Sequence, residues 1–333
     1  MIRYLIRRLL WAGVLFIAVT IVTYIIFFLI PADPARRACG QQVTQQCVKQ
    51  ARHYLGLDRP VYVQYGKFLG RLIPISFKGG PHVKMPSLGI SFANRQKVNS
   101  IVGAAAPVTA SLVFGGAITW LLISIPIGVL SALRPRSFLD RASMTFVLIG
   151  ISAHPVWIGL IFLYLFAFKT HIFPLGGYCN VINPPAGANC GGPVQWFYHM
   201  ILPWLTFAIL FAALYVRMIR ANVLETLNED YVRTARAKGA PEWRVLRSHV
   251  LRNAMLPVVT MLGMDIALGL GGAIFTENIY GLPGLGQQVR QSLDSFDLPT
   301  TQGIIVFGTV AIISFNLIVD LLYAAIDPRI RLA

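Results

Sequence analysis

Charge is what this chain has least of. Only 13% of its 333 residues are Asp, Glu, Lys or Arg, while 56% are hydrophobic. Soluble domains run at about 25% charged, so a soluble protein is excluded and a polytopic membrane protein is indicated. Acids are the scarcer sign, with 13 against 29 Lys and Arg and a formal net charge of +16. The basic residues are spread over many short loops and are not gathered on one soluble domain, which argues against a nucleic-acid partner. They fit charges kept on the cytoplasmic side and attraction to anionic membrane lipid. The chain has four cysteines, no Cys-x-x-Cys pair and six scattered histidines, so no metal-ligand spacing appears. A phosphate-cradling loop is missing too: the one Gly-Lys pair, Gly66-Lys67, runs on into Phe68. No Gly-x-Ser-x-Gly elbow is found. The chain is therefore not expected to bind ATP through such a loop, and no catalytic or cofactor-binding constellation stands out.

Long apolar runs are what is present. The first, residues 9–30, follows Arg3, Arg7 and Arg8 and exceeds the roughly 20 residues a bilayer core requires. It is expected to be an uncleaved first span with its N-terminus inside. Further spans are expected over residues 101–133 (with Pro107 and Pro126), 142–168 (with His154-Pro155), 200–218, 254–275 and 303–326. Arg134, Arg136, Arg141, Arg329 and Arg331 fall in segments placed inside, and the two short outer loops carry only Lys169 and Arg290. The expectation is an all-α chain of six spans with both termini cytoplasmic. It divides into residues 1–30 as the first span, 31–100 as a large extracytoplasmic cap and 101–333 as a five-helix core. The cap carries eleven Lys and Arg, but the charge rule is weak for loops above about 60 residues. Leu285, Val289, Leu293 and Phe296 recur at helical spacing, which predicts a short amphipathic helix there.

All four cysteines fall in segments placed outside, which fits an oxidising compartment. Four cysteines permit three connectivities. The two local bridges, Cys39–Cys47 and Cys179–Cys190, are the favoured set, with free thiols as the alternative. Three acids lie in or near spans. Asp265 and Glu277 are candidates for lining a wet pathway, because a charge in a span is functional by default. Structural pairing is the alternative for Asp265 and the preferred role for Asp320. His154 is expected to be a packed, hydrogen-bonded histidine.

One long polar stretch interrupts the apolar pattern: residues 222–253, with six Lys and Arg and four acids. Small residues cluster at Ala235, Ala237, Gly239 and Ala240. Gly239 followed by Ala240-Pro241-Glu242 reads as a stop and then a start, so two short helices are expected to meet at Gly239. Such a low surface lets a partner pack closely. An ordinary helical hairpin between spans is the plain alternative.

Glu229 to Gly239 (EDYVRTARAKG) and His249 to Val259 (HVLRNAMLPVV) closely resemble the cytoplasmic loop of permease subunits of ABC importers for peptides, a group that includes dipeptide, oligopeptide and nickel permeases. The likeness is to the first of the two permeases in such systems. It runs the length of the chain: MIRYLIRRLL at the start, LGLDRPVYVQY (residues 55–65), PVTASL (107–112), IPIGVLSALRPRSFLDR (125–141), TENIYGLPGLG (276–286) and VDLLYAAIDPRIRL (319–332) match in order. The resemblance implies the type I ABC importer permease fold in a bacterial plasma membrane. It implies a homologous partner permease, two nucleotide-binding subunits that use ATP and Mg, and an extracytoplasmic substrate-binding protein. It places the coupling segment on Arg233, Thr234, Ala235, Arg236, Ala237, Lys238, Gly239 and Ala240. Di- or oligopeptides are the implied cargo, with nickel chelates, haem or other peptide-like ligands as alternatives. The chain departs from the broad importer pattern by opening the segment with Arg233-Thr234-Ala235 in place of Glu-Ala-Ala. Ser87-Leu88-Gly89 also stands where the family often has Asp-Leu-Gly. An ion-driven carrier would show inverted repeats and interrupted spans, and a lipid enzyme would show clustered catalytic groups; neither is clear in the sequence.

Overall fold

The computed structural model describes residues 2–29, 35–36, 44–55, 58, 60–72, 75–76, 82–83, 86–181, 190–270 and 273–326. Helix α1 (Ile2–Leu29) is apolar throughout its middle. Two amphipathic helices follow, α2 (Gln45–Leu55) and α3 (Val61–Leu72), then a two-residue antiparallel pair, Ile75–Ser76 with His82–Val83. The core comprises α4 (Val98–Leu133), α5 (Phe138–Ser152), α6 (Pro155–Phe162, continued as a π-helical turn to Lys169) and α7 (Pro193–Leu227). After it come α8 (Asp230–Ala237), α9 (Glu242–Ala254), α10 (Leu256–Leu270), α11 (Ile274–Tyr280), α12 (Leu285–Asp294) and α13 (Leu298–Ile326).

Among the described residues, α1, α4, α7 and α13 are each long and apolar enough to cross a membrane. The bent pairs α5–α6 and α9–α10 bring the number to six if each counts as one span. The third span, expected over residues 142–168, is bent: α5 and α6 meet at 105°. The cause is local. Pro155 has no N–H to donate and its ring disfavours helical backbone before it, and Ala153 and His154 both turn extended (ψ 123° and 137°). His154 caps α6, its Nδ1 accepting from the Val156 N–H at 3.3 Å.

Helices α4 and α7 form the central pair. They approach closely at Gly115, where an added Cβ would sit 2.1 Å from the Trp204 ring. Trp120, Phe207, Phe211 and Tyr215 fill the space beside it as one aromatic cluster. The cap sits on the C-terminal end of α1, where Thr20 bonds Tyr65 at 3.0 Å and Tyr24 donates to Gln64 at 3.2 Å. The amphipathic α12 buries Leu285 and half-buries Val289, while Leu293 stays exposed.

Candidate functional site

The polar stretch folds as an elbow between α7 and α10. Helix α8 ends where Gly239 takes a left-handed conformation (φ 78°). The Ala240 N–H donates to the Ala235 carbonyl at 3.2 Å and the Gly239 N–H to the Arg236 carbonyl at 2.9 Å. That pair of bonds is the Schellman stop, which needs a residue free of a Cβ penalty at Gly239. Pro241 is the cap residue of α9, one place earlier than the helical position expected from sequence. Arg236 closes the bend, with its Nε donating to Glu242 Oε1 at 2.9 Å and Nη2 to Oε2 at 3.3 Å.

The elbow has two faces. On one, Val232, Val245 and Val250 are fully buried and Ala235, Ala240 and Leu246 pack beside them, in the same cluster as Ile219 and Val223 of α7. Asn253 reaches across to the Tyr231 hydroxyl at 2.8 Å, and Asn222 to the Ala254 carbonyl at 3.3 Å. The other face presents Arg233, Thr234, Arg236, Ala237, Lys238 and Gly239 to the outside. Trp243 and Arg244 stand beside them, the indole 68% exposed. Nothing lies within 4 Å of where a Gly239 Cβ would be, so the space above the bend is open. Of the eight residues expected to form the coupling segment, six face outward and Ala235 and Ala240 are half-buried on the packed side.

A second polar constellation lies just behind the elbow and escaped the sequence reading. Asp140, nearly buried at the start of α5, accepts from Arg220 of α7 in two places, Nε at 2.6 Å and Nη2 at 2.9 Å. Ser131 of α4 and the Arg136 N–H complete its partners. One carboxylate therefore ties three helices, and bidentate Arg–carboxylate geometry fixes orientation as well as distance. The available signal was Ser137-x-x-Asp140, a capping spacing, in a turn otherwise rich in Arg.

The acids read as pathway candidates separate. Asp265 of α10 is half-buried and accepts from the Tyr215 hydroxyl at 2.6 Å. Glu277 of α11 is fully buried. It accepts from Thr109 at 2.7 Å and from the Gln287 N–H at 3.0 Å, while the Leu285 N–H donates to Thr109 at 2.8 Å. Burial pushes the Glu277 carboxyl above its ordinary range, against the hydrogen bonds from Thr109 and the backbone of Gln287 and Gly286 that pull it down. An acid among the first N–H groups of α12 is a helix cap. The side chain of Asp320 lies outside the described residues.

Cys179 and Cys190 are bonded to each other. With His199 they are the one group among the described residues that could hold a metal, but the bridge takes up both thiols. Cys47 is disulfide-bonded, and Cys39 lies outside the described residues.

Residues 124–332 match the family described as the inner membrane component of binding-protein-dependent transport systems, and residues 1–113 match that component's N-terminal family. A protein of Escherichia coli K12 named as a D,D-dipeptide transport system permease, DdpB, is 37% identical over 98% of this chain and 97% of its own length. A Brucella suis protein named as a peptide permease is 36% identical over 99% of both chains. Among solved structures, an inward-facing methionine ABC transporter, MetNI, aligns at TM-score 0.54 and 16% identity, covering 68% of this chain and 97% of that one. The last likeness shows the fold alone.

Proposed function

The chain belongs to the inner membrane components of binding-protein-dependent transport systems, and from that premise we propose that it forms one half of a peptide pathway driven through the elbow. It is a permease subunit of an ABC importer, a multi-pass membrane protein that is not itself the catalyst. The peptide cargo is our inference, supported by relatives named for dipeptide and peptide transport. The partners are a homologous second permease, two ATPase subunits that bind the ATP and Mg, and an extracytoplasmic binding protein. On this reading both termini and the elbow face the cytoplasm.

The observation that carries the reading is the two-faced elbow. Its outer face is basic and low, with a protruding indole at Trp243. Such a face suits a groove lined by carboxylates and deep enough for an aromatic anchor. Its inner face packs on Ile219 and Val223. A push on the elbow therefore moves the adjoining ends of α7 and α10 as one body. Closing of the ATPases on ATP pulls the elbow, the cavity between the permeases opens outward, and hydrolysis resets it. Each nucleotide state shifts the equilibrium only by its differential contacts with the two conformations. We also propose Asp265, half-buried beside the aromatic cluster, as the acid that meets cargo.

The test is ATP hydrolysis by the chain co-purified with its partners, with and without peptide. Gly239→Trp fills the open space above the bend. We expect the complex to form more weakly and peptide-stimulated hydrolysis to fall at least tenfold, with helix content unchanged. Transport by the chain alone, without ATP, would refute the proposal.

A further inference from the structure

Asp265 stands in α10 between Leu262, Gly263 and Met264 on one side and Ile266, Ala267 and Leu268 on the other. It is half-buried, at the edge of the face that exposes Met264 and Leu268. Hydrocarbon is a costly place for a carboxylate, so this edge meets water or protein, not lipid tails. Among the described residues its one hydrogen-bond partner is the Tyr215 hydroxyl, which donates to Oδ2 at 2.6 Å, and no cation pairs with it. An ionised carboxylate has about four acceptor sites, so most of its capacity is unused. Donors stand close by in the fold: Trp120, with its ring centre 5.8 Å from that of Tyr215, and Ser124 one turn further along α4. The Trp120 Nε1 and Ser124 Oγ are buried with no hydrogen-bond partner, yet neither turns to Asp265. The interior thus leaves this carboxylate for a group from outside the chain.

We infer that Asp265 binds the N-terminal ammonium of the peptide cargo. The inference rests on the peptide-importer reading and narrows it. The chemistry of the site selects an ammonium. A carboxylate with one neutral donor is matched by a cation that brings several N–H bonds, and charge-assisted hydrogen bonds are the strong ones. A calcium ion takes roughly six to eight oxygen ligands and a magnesium ion a near-ideal octahedron, and one carboxylate with one hydroxyl falls short of either. The carboxylate end of a peptide would be repelled. Every unblocked peptide carries the N-terminal ammonium whatever its side chains, so a single acid serves cargo of varied sequence. Phe211, one turn before Tyr215 on α7 and half-buried, adds apolar surface to the same region. Asp265 is on this account a specificity-determining residue of the pathway.

The experiment is equilibrium binding of two radiolabelled probes, Ala-Ala-amide and N-acetyl-Ala-Ala-amide, to the chain assembled with its partner permease and ATPases in nanodiscs. The binding protein is left out so that its own selectivity does not intervene. The probes differ in the ammonium alone. The free amine should bind at least about tenfold more tightly, the scale of one charge-assisted hydrogen bond. Asp265→Asn keeps an acceptor for Tyr215 but removes the charge, and it should abolish the preference. Leu268→Lys offers Asp265 an ammonium of the chain's own three residues along the helix. It should suppress the preference too, and it keeps the test decisive if the asparagine variant fails to assemble. Equal binding of the two amides by the parent complex, or a preference that survives in both variants, overturns the inference. ATP hydrolysis stimulated by the binding protein is read on the same preparations. If that stimulation is present while the amides bind equally, the importer reading stands and only the ammonium site falls; if stimulation is absent, both fall.

Discussion

The two ends of α4 are built on opposite plans. Thr109 near one end and Ser131 near the other are 22 residues apart, about 33 Å along the helix. At the Thr109 end, polar groups are buried and satisfied: Glu277 caps α12, and Asp297 accepts from Ser91, from the Phe92 N–H at 2.8 Å and from Thr300 at 2.7 Å. At the Ser131 end Asp140 is buried and its partner Arg220 half-buried, but the elbow beyond them leaves its cations outside. Both ends carry a stretch that resembles family motifs. TENIYGLPGLG is accounted for by its own contacts: an added Cβ at Gly284 would sit 2.4 Å from the Glu277 carboxylate, and one at Gly286 would sit 2.7 Å from the Ile274 backbone. The outer face of the elbow is not accounted for that way. Its residues are largely exposed, and the proposed function explains them by a partner that meets this face.

The sharpest way to break this contrast is at the buried clamp. Asp140→Ala leaves the half-buried Arg220 guanidinium without its carboxylate, so it should cost about 3–4 kcal/mol, the lower part of the range for buried pairs, and lower yield in the membrane. Replacing both, Asp140→Leu with Arg220→Met, should recover much of that loss. Thermal unfolding in detergent reads both; equal losses for the single and double variants would mean that the clamp is not a closed pair. Next is Glu277→Ala, which strands the Thr109 hydroxyl and backbone N–H groups of α12 at about 3 kcal/mol. Glu277→Gln keeps one acceptor oxygen and should cost less, since burial already disfavours the charged carboxylate. If Gln proves as damaging as Ala while binding-protein-driven transport, not stability, is what fails, Glu277 belongs to the pathway after all. Smaller again in stability is Gly239→Ala. The left-handed backbone costs about 1–2 kcal/mol for a residue with a Cβ, and no clash adds to it. Gly239→Asn should cost less, because Asn tolerates that conformation.

The helical class, the long spans and the bend at Gly239 were legible in the sequence because each rests on local chemistry: hydropathy over a window, or Gly before Ala-Pro-Glu. The break at His154 was half legible. Pro155 was visible, but apolar length outweighed it, and only the extended backbone at Ala153 and His154 reveals a bend of 105°. Asp140–Arg220 was not legible, because the partners are 80 residues apart and pairing across helices leaves no periodic trace. Glu277 drew notice as an acid near a span. Its hydrogen bonding to Thr109, 168 residues away in sequence, appears only in three dimensions.

The smallest expected effect tests the exposed end most directly. Arg236 and Glu242 make a two-point ion pair across the bend, and both side chains are well exposed, at 40% and 74%. Exposed pairs yield about 0.2–1 kcal/mol, and salt screens them further. A double-mutant cycle of Arg236→Ala and Glu242→Ala, followed by unfolding temperature at low and high salt, should therefore give a coupling energy under about 1 kcal/mol that fades as salt rises. The same variants should weaken ATPase stimulation more than stability, because they disturb the shape and charge that a partner meets. A salt-independent coupling above about 2 kcal/mol would reverse the contrast: the elbow would be held by its own chain, as the Glu277 end is, and its sequence would need no partner to explain it.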